Sequence, residues 1–108
     1  MEDLTTNEKK ALAEKVGAAS KYLRALSNPS RLMLLCELVR GERSVGELEV
    51  ALNVGQAYVS QQLARLRAEG LVTGRKQGRV VYYSLSDGKV RPMIDLLYRQ
   101  FCLEEDGA

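Results

Sequence analysis

Two cysteines, Cys36 and Cys102, carry the most reactive side chains of this sequence of 108 residues. A thiolate attacks electrophilic sulfur, and two neighbouring thiols can be joined by a sulfur bridge. The chain has no histidine, so it lacks the usual catalytic base and the usual zinc ligand. Each thiol alone also has an inert interpretation, as a small buried hydrophobic group or as an indifferent thiol at a helix end. The sequence does not decide whether the two thiols meet.

Cys36 is predicted to lie on a helix that starts at Pro29 and stops at Gly41. Proline suits the first helical position, and glycine suits the residue that follows a helix. The same apolar face contains Leu32, Leu35 and Val39. Arg40 would favour the Cys36 thiolate, whereas Glu37 would oppose it. A reactive pair would need at least one partly exposed thiol that loses its proton readily.

The first and last predicted helices each have one continuous apolar stripe. A capping box at residues 5–8 opens the first helix, and its stripe contains Leu12, Val16, Ala19, Leu23 and Leu26. Cys102 lies near the end of the last helix, whose first turn tolerates Pro92. The stripe of that helix contains Val90, Ile94, Leu97 and Phe101. Either stripe can pack within the domain, face a second copy of the chain, or do some of each.

Between these helices the pattern predicts two short helices and a hairpin. The elements are a helix opened by a capping box at residues 44–47, a turn at residues 53–55, a helix over residues 56–69, and strands over residues 71–76 and 79–85. Gln77 and Gly78 are predicted to form the tight turn between the strands. The predicted fold is therefore mainly α with a small β-hairpin (α+β), a winged helix-turn-helix with the hairpin between the fourth and fifth helices. Residues 1–108 are expected to form one domain.

The charge is small overall but unevenly distributed. The formal net charge is +2, yet the acid Glu69 stands alone among several arginines and a lysine between Gln56 and Tyr83. The second helix of a helix-turn-helix normally enters the major groove of DNA. The predicted DNA-binding residues of that helix are Gln56, Ala57, Tyr58, Ser60, Gln61, Gln62, Arg65 and Arg67. Those of the wing are Arg75, Lys76 and Arg79.

Composition and motifs disfavour several other classes of protein. The chain is 45% hydrophobic and 28% charged, which is typical of a globular protein, and no stretch approaches a membrane span. We therefore expect a cytoplasmic protein with reduced thiols, no membrane partner and no cofactor. A thiol enzyme is disfavoured because histidine and C-x-x-C motifs are absent. A winged-helix module that binds only proteins would not need the glutamines and the serine of the fourth helix.

Most of the chain resembles the arsenic-repressor (ArsR/SmtB) family of bacterial winged-helix repressors. The matching stretches are residues 25–32 (Ala-Leu-Ser-Asn-Pro-Ser-Arg-Leu), 44–48 (Ser-Val-Gly-Glu-Leu), 59–72 and 78–85. The resemblance implies a homodimer held by the first and last helices. It also implies a repressor that binds double-stranded operator DNA and is released by an inducer. Gln62 stands where many members carry histidine, which should change base preference more than the fold.

The metal sites of the family are not preserved in this sequence. The arsenic- and cadmium-type site uses cysteines where this chain has Glu-Leu-Glu-Val-Ala at residues 47–51. The zinc-type site uses Asp-x-His where this chain has Asp87, Gly88 and Lys89. The remaining carboxylates would form only a weak and unselective metal site. We therefore expect no metal site.

A subgroup of the family, the sulfide-responsive repressors called SqrR or BigR, carries two cysteines in a similar pattern. Residues 28–36 (Asn-Pro-Ser-Arg-Leu-Met-Leu-Leu-Cys) and Cys102 match it. The resemblance implies that persulfides or polysulfides link Cys36 and Cys102 within one protomer, and that release from DNA allows sulfide-detoxification genes to be expressed. A bridge with inserted sulfur atoms spans a wider gap than a disulfide, which would discriminate polysulfide from peroxide. The alternative is a metal- or general thiol-oxidant-sensing repressor of the same family.

Overall fold

The structure, a computed structural model, describes residues 3–86 and 88–102. The helices in this part of the chain are α1 (Thr6–Leu26), α2 (Pro29–Glu37), α3 (Val45–Leu52), α4 (Gln56–Ala68) and α5 (Val90–Phe101). The strands are β1 (Arg43–Ser44), β2 (Val72–Gln77) and β3 (Val80–Leu85), which form one antiparallel sheet in the order β1-β3-β2. The predicted α+β order of elements, with the hairpin before the last helix, is confirmed.

The helix starts follow from short polar side chains placed just before them. The Thr5 hydroxyl accepts from the Glu8 backbone N–H at 3.1 Å, and the Glu8 carboxylate accepts from the Thr5 N–H at 2.8 Å. Ser44 and Glu47 make the same reciprocal pair at the start of α3. The Asn28 side chain caps α2. These contacts confirm the predicted starts of α1, α2 and α3, because each satisfies backbone donors that the first helical turn leaves unpaired.

Two details differ from the sequence-based expectation on the α2 side of the molecule. The α-helix ends at Glu37 and continues as one turn of 3₁₀-helix over Leu38–Arg40, before Gly41 at a φ of 137°. The strand Arg43–Ser44 was not predicted, since two residues carry no alternating pattern. Its pairing with β3 turns the expected hairpin into a sheet of three strands.

The hairpin turn lies one position later than predicted. Gln77 pairs with Val80, so the loop consists of Gly78 and Arg79 rather than of Gln77 and Gly78. Gly78 has a φ of 65°, and a two-residue hairpin loop favours glycine at such a first position. Arg79 is therefore at the tip of the wing.

The core lies between α2, α3, α4, α5 and the sheet. It consists of Leu26, Leu34, Leu35, Leu38, Leu48, Val59, Leu63, Leu66, Leu71, Val72, Leu85, Val90 and Ile94. α1 contributes one buried residue, Leu26, with Tyr22 and Ala25 packed against the core beside it, and every residue from Thr6 to Lys21 is exposed. The apolar stripe of α1 from Leu12 to Leu23 is thus left uncovered within one chain. No helix in residues 3–86 and 88–102 is long and apolar enough to cross a membrane.

Candidate nucleic-acid interface and thiol pair

Helix α4 has one face in the core and the opposite face in solvent. Val59, Leu63 and Leu66 are fully buried at helical spacing and fix the rotation of the helix. The exposed predicted DNA-binding residues are Gln56, Ala57, Ser60, Gln61, Arg65 and Arg67. Tyr58 and Gln62 are half-buried, and Tyr58 packs against the core. The structure therefore gathers most of the predicted residues of this helix on one accessible face.

The turn before α4 leaves the start of that helix open. Asn53 ends α3 in the left-handed conformation, with a φ of 56°, which asparagine tolerates better than most residues. Gly55 is the N-cap of α4, and because glycine has no side chain it supplies no capping hydrogen bond to the first turn of the helix. The first backbone N–H groups of α4 are therefore free of a side-chain cap, an arrangement that suits a phosphate group.

The wing lies directly beside the end of α4. A methyl group on Gly74 would come within 3.2 Å of the Tyr83 and Val81 side chains and 3.5 Å of Arg67 Nη1. A larger residue at this position would crowd the Tyr83 and Val81 side chains of β3, and the Arg67 guanidinium of α4 lies at van der Waals distance from the same point. Lys76 and Arg79 are exposed, and within the described part of the chain neither forms an ion pair.

Arg75 differs from the other wing cations because its charge is already paired. Its Nε and Nη2 donate to the two carboxylate oxygens of Glu42 at 2.9 and 2.7 Å, and its Nη1 donates to Gln77 Oε1 at 2.8 Å. The guanidinium also lies 5.2 Å from the centre of the Tyr82 ring. The bond to Arg75 holds the pKa of Glu42 below its usual value. Sequence reasoning missed Glu42, because the contact depends on the pairing of β3 with β1, a strand that the pattern did not show.

Arg31 joins the ends of two helices that belong to different parts of the fold. Its Nη1 donates to the Ala25 carbonyl in the last turn of α1 at 3.0 Å, and its Nη2 donates to Glu69 Oε1 at the end of α4 at 2.7 Å. The side chain is only 12% exposed. No role for Glu69 beyond its charge could be predicted from the sequence, because the contact joins residues far apart along the chain.

The two cysteines meet at the crossing of α2 and α5. Cys36 is half-buried on α2, and Cys102 is exposed directly after α5. Burial raises the pKa of Cys36 above its ordinary value of 9.0, and so do the neighbouring Cys102 thiol and the Glu37 carboxylate. The structure thus brings together two thiols whose proximity the sequence left open.

Arg40 does not favour the Cys36 thiolate, contrary to the expectation from the sequence. Its guanidinium interacts with the Tyr98 side chain, one turn before Cys102 on α5, and the pKa of Cys36 is raised rather than lowered. The expectation for Glu37 is confirmed, and that for Arg40 is wrong because Arg40 is turned toward Tyr98. The pairs Cys36–Cys102 and Arg40–Tyr98 lie one turn apart and show that the two helices run antiparallel there.

A second, apolar feature lies where α5 passes the end of α1. A cavity of about 400 Å³ is lined there by Leu23, Leu26, Ser27, Met93, Leu96 and Leu97. Leu12, Val16, Leu23 and Leu96 remain about half exposed, and Phe101 is 77% exposed. Exposed apolar side chains in such number along two adjoining helices are typical of an interface.

Metal binding finds no support in the residues that the structure describes. They contain no group of three or more histidine, cysteine or acidic side chains that could hold an ion. Residues 47–51 form part of α3 and contain no thiol. Asp87, the first residue of the other expected metal position, lies outside the described residues.

Helices α3 and α4, the exposed polar face of α4 and the basic wing define a winged helix-turn-helix protein of the DNA-binding type. Residues 28–73 match the model of the arsR family of bacterial regulatory proteins. The chain is 40% identical over 97 residues to the biofilm growth-associated repressor of Xylella fastidiosa, covering 90% of this chain and 85% of that protein. The chain therefore belongs to the arsR family and is a transcriptional regulator, not an enzyme.

Solved structures of relatives share the whole architecture. The crystal structure of the repressor BigR from Xylella fastidiosa superimposes with a TM-score of 0.83 at 39% identity, covering 93% of this chain and 99% of that one. Reduced HlyU from Vibrio cholerae gives a TM-score of 0.80 at 42% identity, covering 86% of this chain and 98% of that one. The expected winged helix-turn-helix fold is confirmed by both.

Proposed function

We propose that this chain is a dimeric transcriptional repressor that senses persulfides or polysulfides through Cys36 and Cys102 and then leaves its operator. The observation that carries the proposal is that the two thiols are neighbours where α2 packs against α5. The chain is similar to a protein named as a repressor, and one similar structure is of HlyU in a reduced form. We further propose that it acts in the cytoplasm and controls sulfide-detoxification genes.

The two thiols have different exposures, and this difference sets the order of the chemistry. Cys102 is exposed and meets the inducer first, whereas Cys36 is half-buried with a raised pKa and reacts second. The Cys102 thiolate attacks a sulfur atom of a hydropolysulfide and displaces hydrosulfide. The Cys36 thiolate then attacks the sulfur chain on Cys102 and displaces a second hydrosulfide. Two thiols and H₂S₄ thus give a four-sulfur bridge and two H₂S, with the polysulfide as the oxidant.

The second copy of the chain is the occupant that we propose for the apolar faces of α1 and α5. One chain leaves Leu12, Val16 and Leu23 of α1 and Leu96 of α5 uncovered, beside the apolar cavity at the end of α1. A two-fold dimer would bury both faces and present two α4 helices to two DNA half-sites. Helix α5 then carries both the interface and the position of Cys102. A bridge to Cys36 therefore acts on the element that sets the spacing of the two reading helices.

Fluorescence anisotropy tests this proposal. The probe is a labelled duplex that the wild-type protein selects from a random library, at one stated salt concentration. We expect polysulfide to weaken binding by the wild-type protein, whereas zinc leaves binding unchanged. The variants Cys36→Ser and Cys102→Ser should bind as the reduced wild type does and lose the response. A full response of either variant would contradict the two-thiol mechanism.

A general thiol-oxidant sensor is the second candidate, and the same contact favours it. Neighbouring thiols need little movement to form a direct disulfide. Hydrogen peroxide added to the same assay separates the two candidates. Release by polysulfide alone supports persulfide sensing, while equal release by peroxide, with a plain disulfide in the intact mass, supports the oxidant sensor.

A further inference from the structure

The wing of this protein contains a cation that is held by the protein's own carboxylate. Arg75 starts on β2, passes over the Tyr82 ring of the central strand β3 and reaches Glu42 just before β1. Two parallel N–H···O bonds of 2.9 and 2.7 Å join the guanidinium to that carboxylate. This fork geometry is also the one in which arginine binds a phosphate group.

Both partners of this ion pair remain accessible to solvent. The Arg75 side chain is 52% exposed and that of Glu42 is 38% exposed. An exposed ion pair contributes little to stability, so its exchange for another anion costs little. The neighbouring cations Lys76 and Arg79 have no such internal partner in the described residues. Glu42 thus sets Arg75 apart from the rest of the wing.

We propose that Glu42 is an affinity-setting residue, which holds Arg75 in the free protein and exchanges it for a backbone phosphate when DNA binds. This inference rests on the proposed operator binding. Each binding event must break the Glu42–Arg75 pair before Arg75 gains its phosphate. The carboxylate therefore lowers the affinity for every sequence by the same factor, because a phosphate contact reads no base.

Substitution of Glu42 tests the exchange directly. We expect Glu42→Gln to tighten binding to the selected duplex about two- to fivefold, the range that an exposed ion pair supplies. The slope of log affinity against log salt should change by less than about 0.9, the value of one phosphate contact, because Arg75 binds a phosphate in both proteins. Unchanged or weaker binding by a folded Glu42→Gln protein would overturn the proposal. Absence of binding by the wild type would instead refute operator binding itself.

Two further variants separate exchange from simple charge repulsion between Glu42 and DNA. In an Arg75→Gln background, exchange predicts no gain from Glu42→Gln, whereas repulsion predicts the same gain as before. Glu42→Asp keeps the negative charge but shortens the reach to Arg75. Exchange therefore predicts tighter binding by Glu42→Asp, and repulsion predicts no change. Equal gains in both backgrounds, or no gain with aspartate, would overturn the proposal.

Discussion

The candidate DNA-reading surface and the thiol pair are built in opposite ways. The reading surface is exposed, and three fully buried residues of the same helix, Val59, Leu63 and Leu66, support it from behind. The thiol pair places a half-buried cysteine of α2 beside an exposed one at the C-cap of α5. A rigid surface suits recognition of a regular duplex. The end of a helix suits a chemical change that must shift one part of the protein relative to another. The difference would allow one small domain both to read DNA and to respond to an inducer, as proposed above.

Removing a buried support of α4 should have the largest effect. Leu63→Ala is expected to lower the free energy of unfolding by about 2–5 kcal/mol, because it leaves a cavity in the core. Urea denaturation measures this loss in the free energy of unfolding. The matched variant Gln56→Ala on the exposed face of the same helix should stay within about 0.5 kcal/mol of wild type. Similar losses for both variants would show that α4 is not held as described.

Two matched glutamines separate the regions by function. Gln61→Ala on α4 should weaken operator binding by about 1–3 kcal/mol, the value of a bidentate contact to a base, and should leave the polysulfide response intact. Gln100→Ala on α5, close to Cys102 in sequence, should leave DNA affinity unchanged. Anisotropy titrations measure both. An equal loss for the two variants would remove the distinction between the regions.

Arg31 lies between the two regions and should show an intermediate effect. Arg31→Met removes the bonds to the Ala25 carbonyl and to Glu69, and we expect the free energy of unfolding to fall by about 1–2 kcal/mol. Arg31→Lys, which keeps the charge but not the fork, should recover part of the loss. Denaturation curves as stable as wild type for Arg31→Met would show that the tie between α1 and α4 is not needed.

The smallest effect is a pH dependence confined to the thiol pair. The raised pKa of Cys36 means that the folded protein favours the neutral thiol, so this contribution to stability is present below 9.0 and is lost as the pH rises through the folded pKa. At pH 7.5, iodoacetamide should alkylate Cys36 in the Cys102→Ser variant more slowly than it alkylates Cys102 in the Cys36→Ser variant. The rate of Cys36 alkylation should continue to rise above pH 9. Faster alkylation at Cys36 would reverse the proposed order of attack.

The same contrast explains what could be predicted from sequence. Helix starts depend on residues three positions apart, as Thr5 and Glu8 do, and helical faces depend on spacing within one element. The α4 surface was therefore accessible to prediction. The Cys36–Cys102, Glu42–Arg75 and Arg31–Glu69 contacts join residues from distant parts of the chain. Tertiary packing alone brings them together, and no local pattern indicates it.

One measurement tests the central claim, that a bridge between Cys36 and Cys102 controls DNA affinity, most directly. Samples treated with increasing polysulfide are split between an anisotropy titration and tryptic mass spectrometry. The peptide of residues 32–40, which contains Cys36, is followed for linkage to the peptide that begins at Gln100, which contains Cys102. The claim predicts that the loss of DNA-binding activity increases in proportion to the fraction of linked peptide. The mass of the linked peptides should include the inserted sulfur atoms. Release without linkage, or full linkage with unchanged affinity, would contradict it.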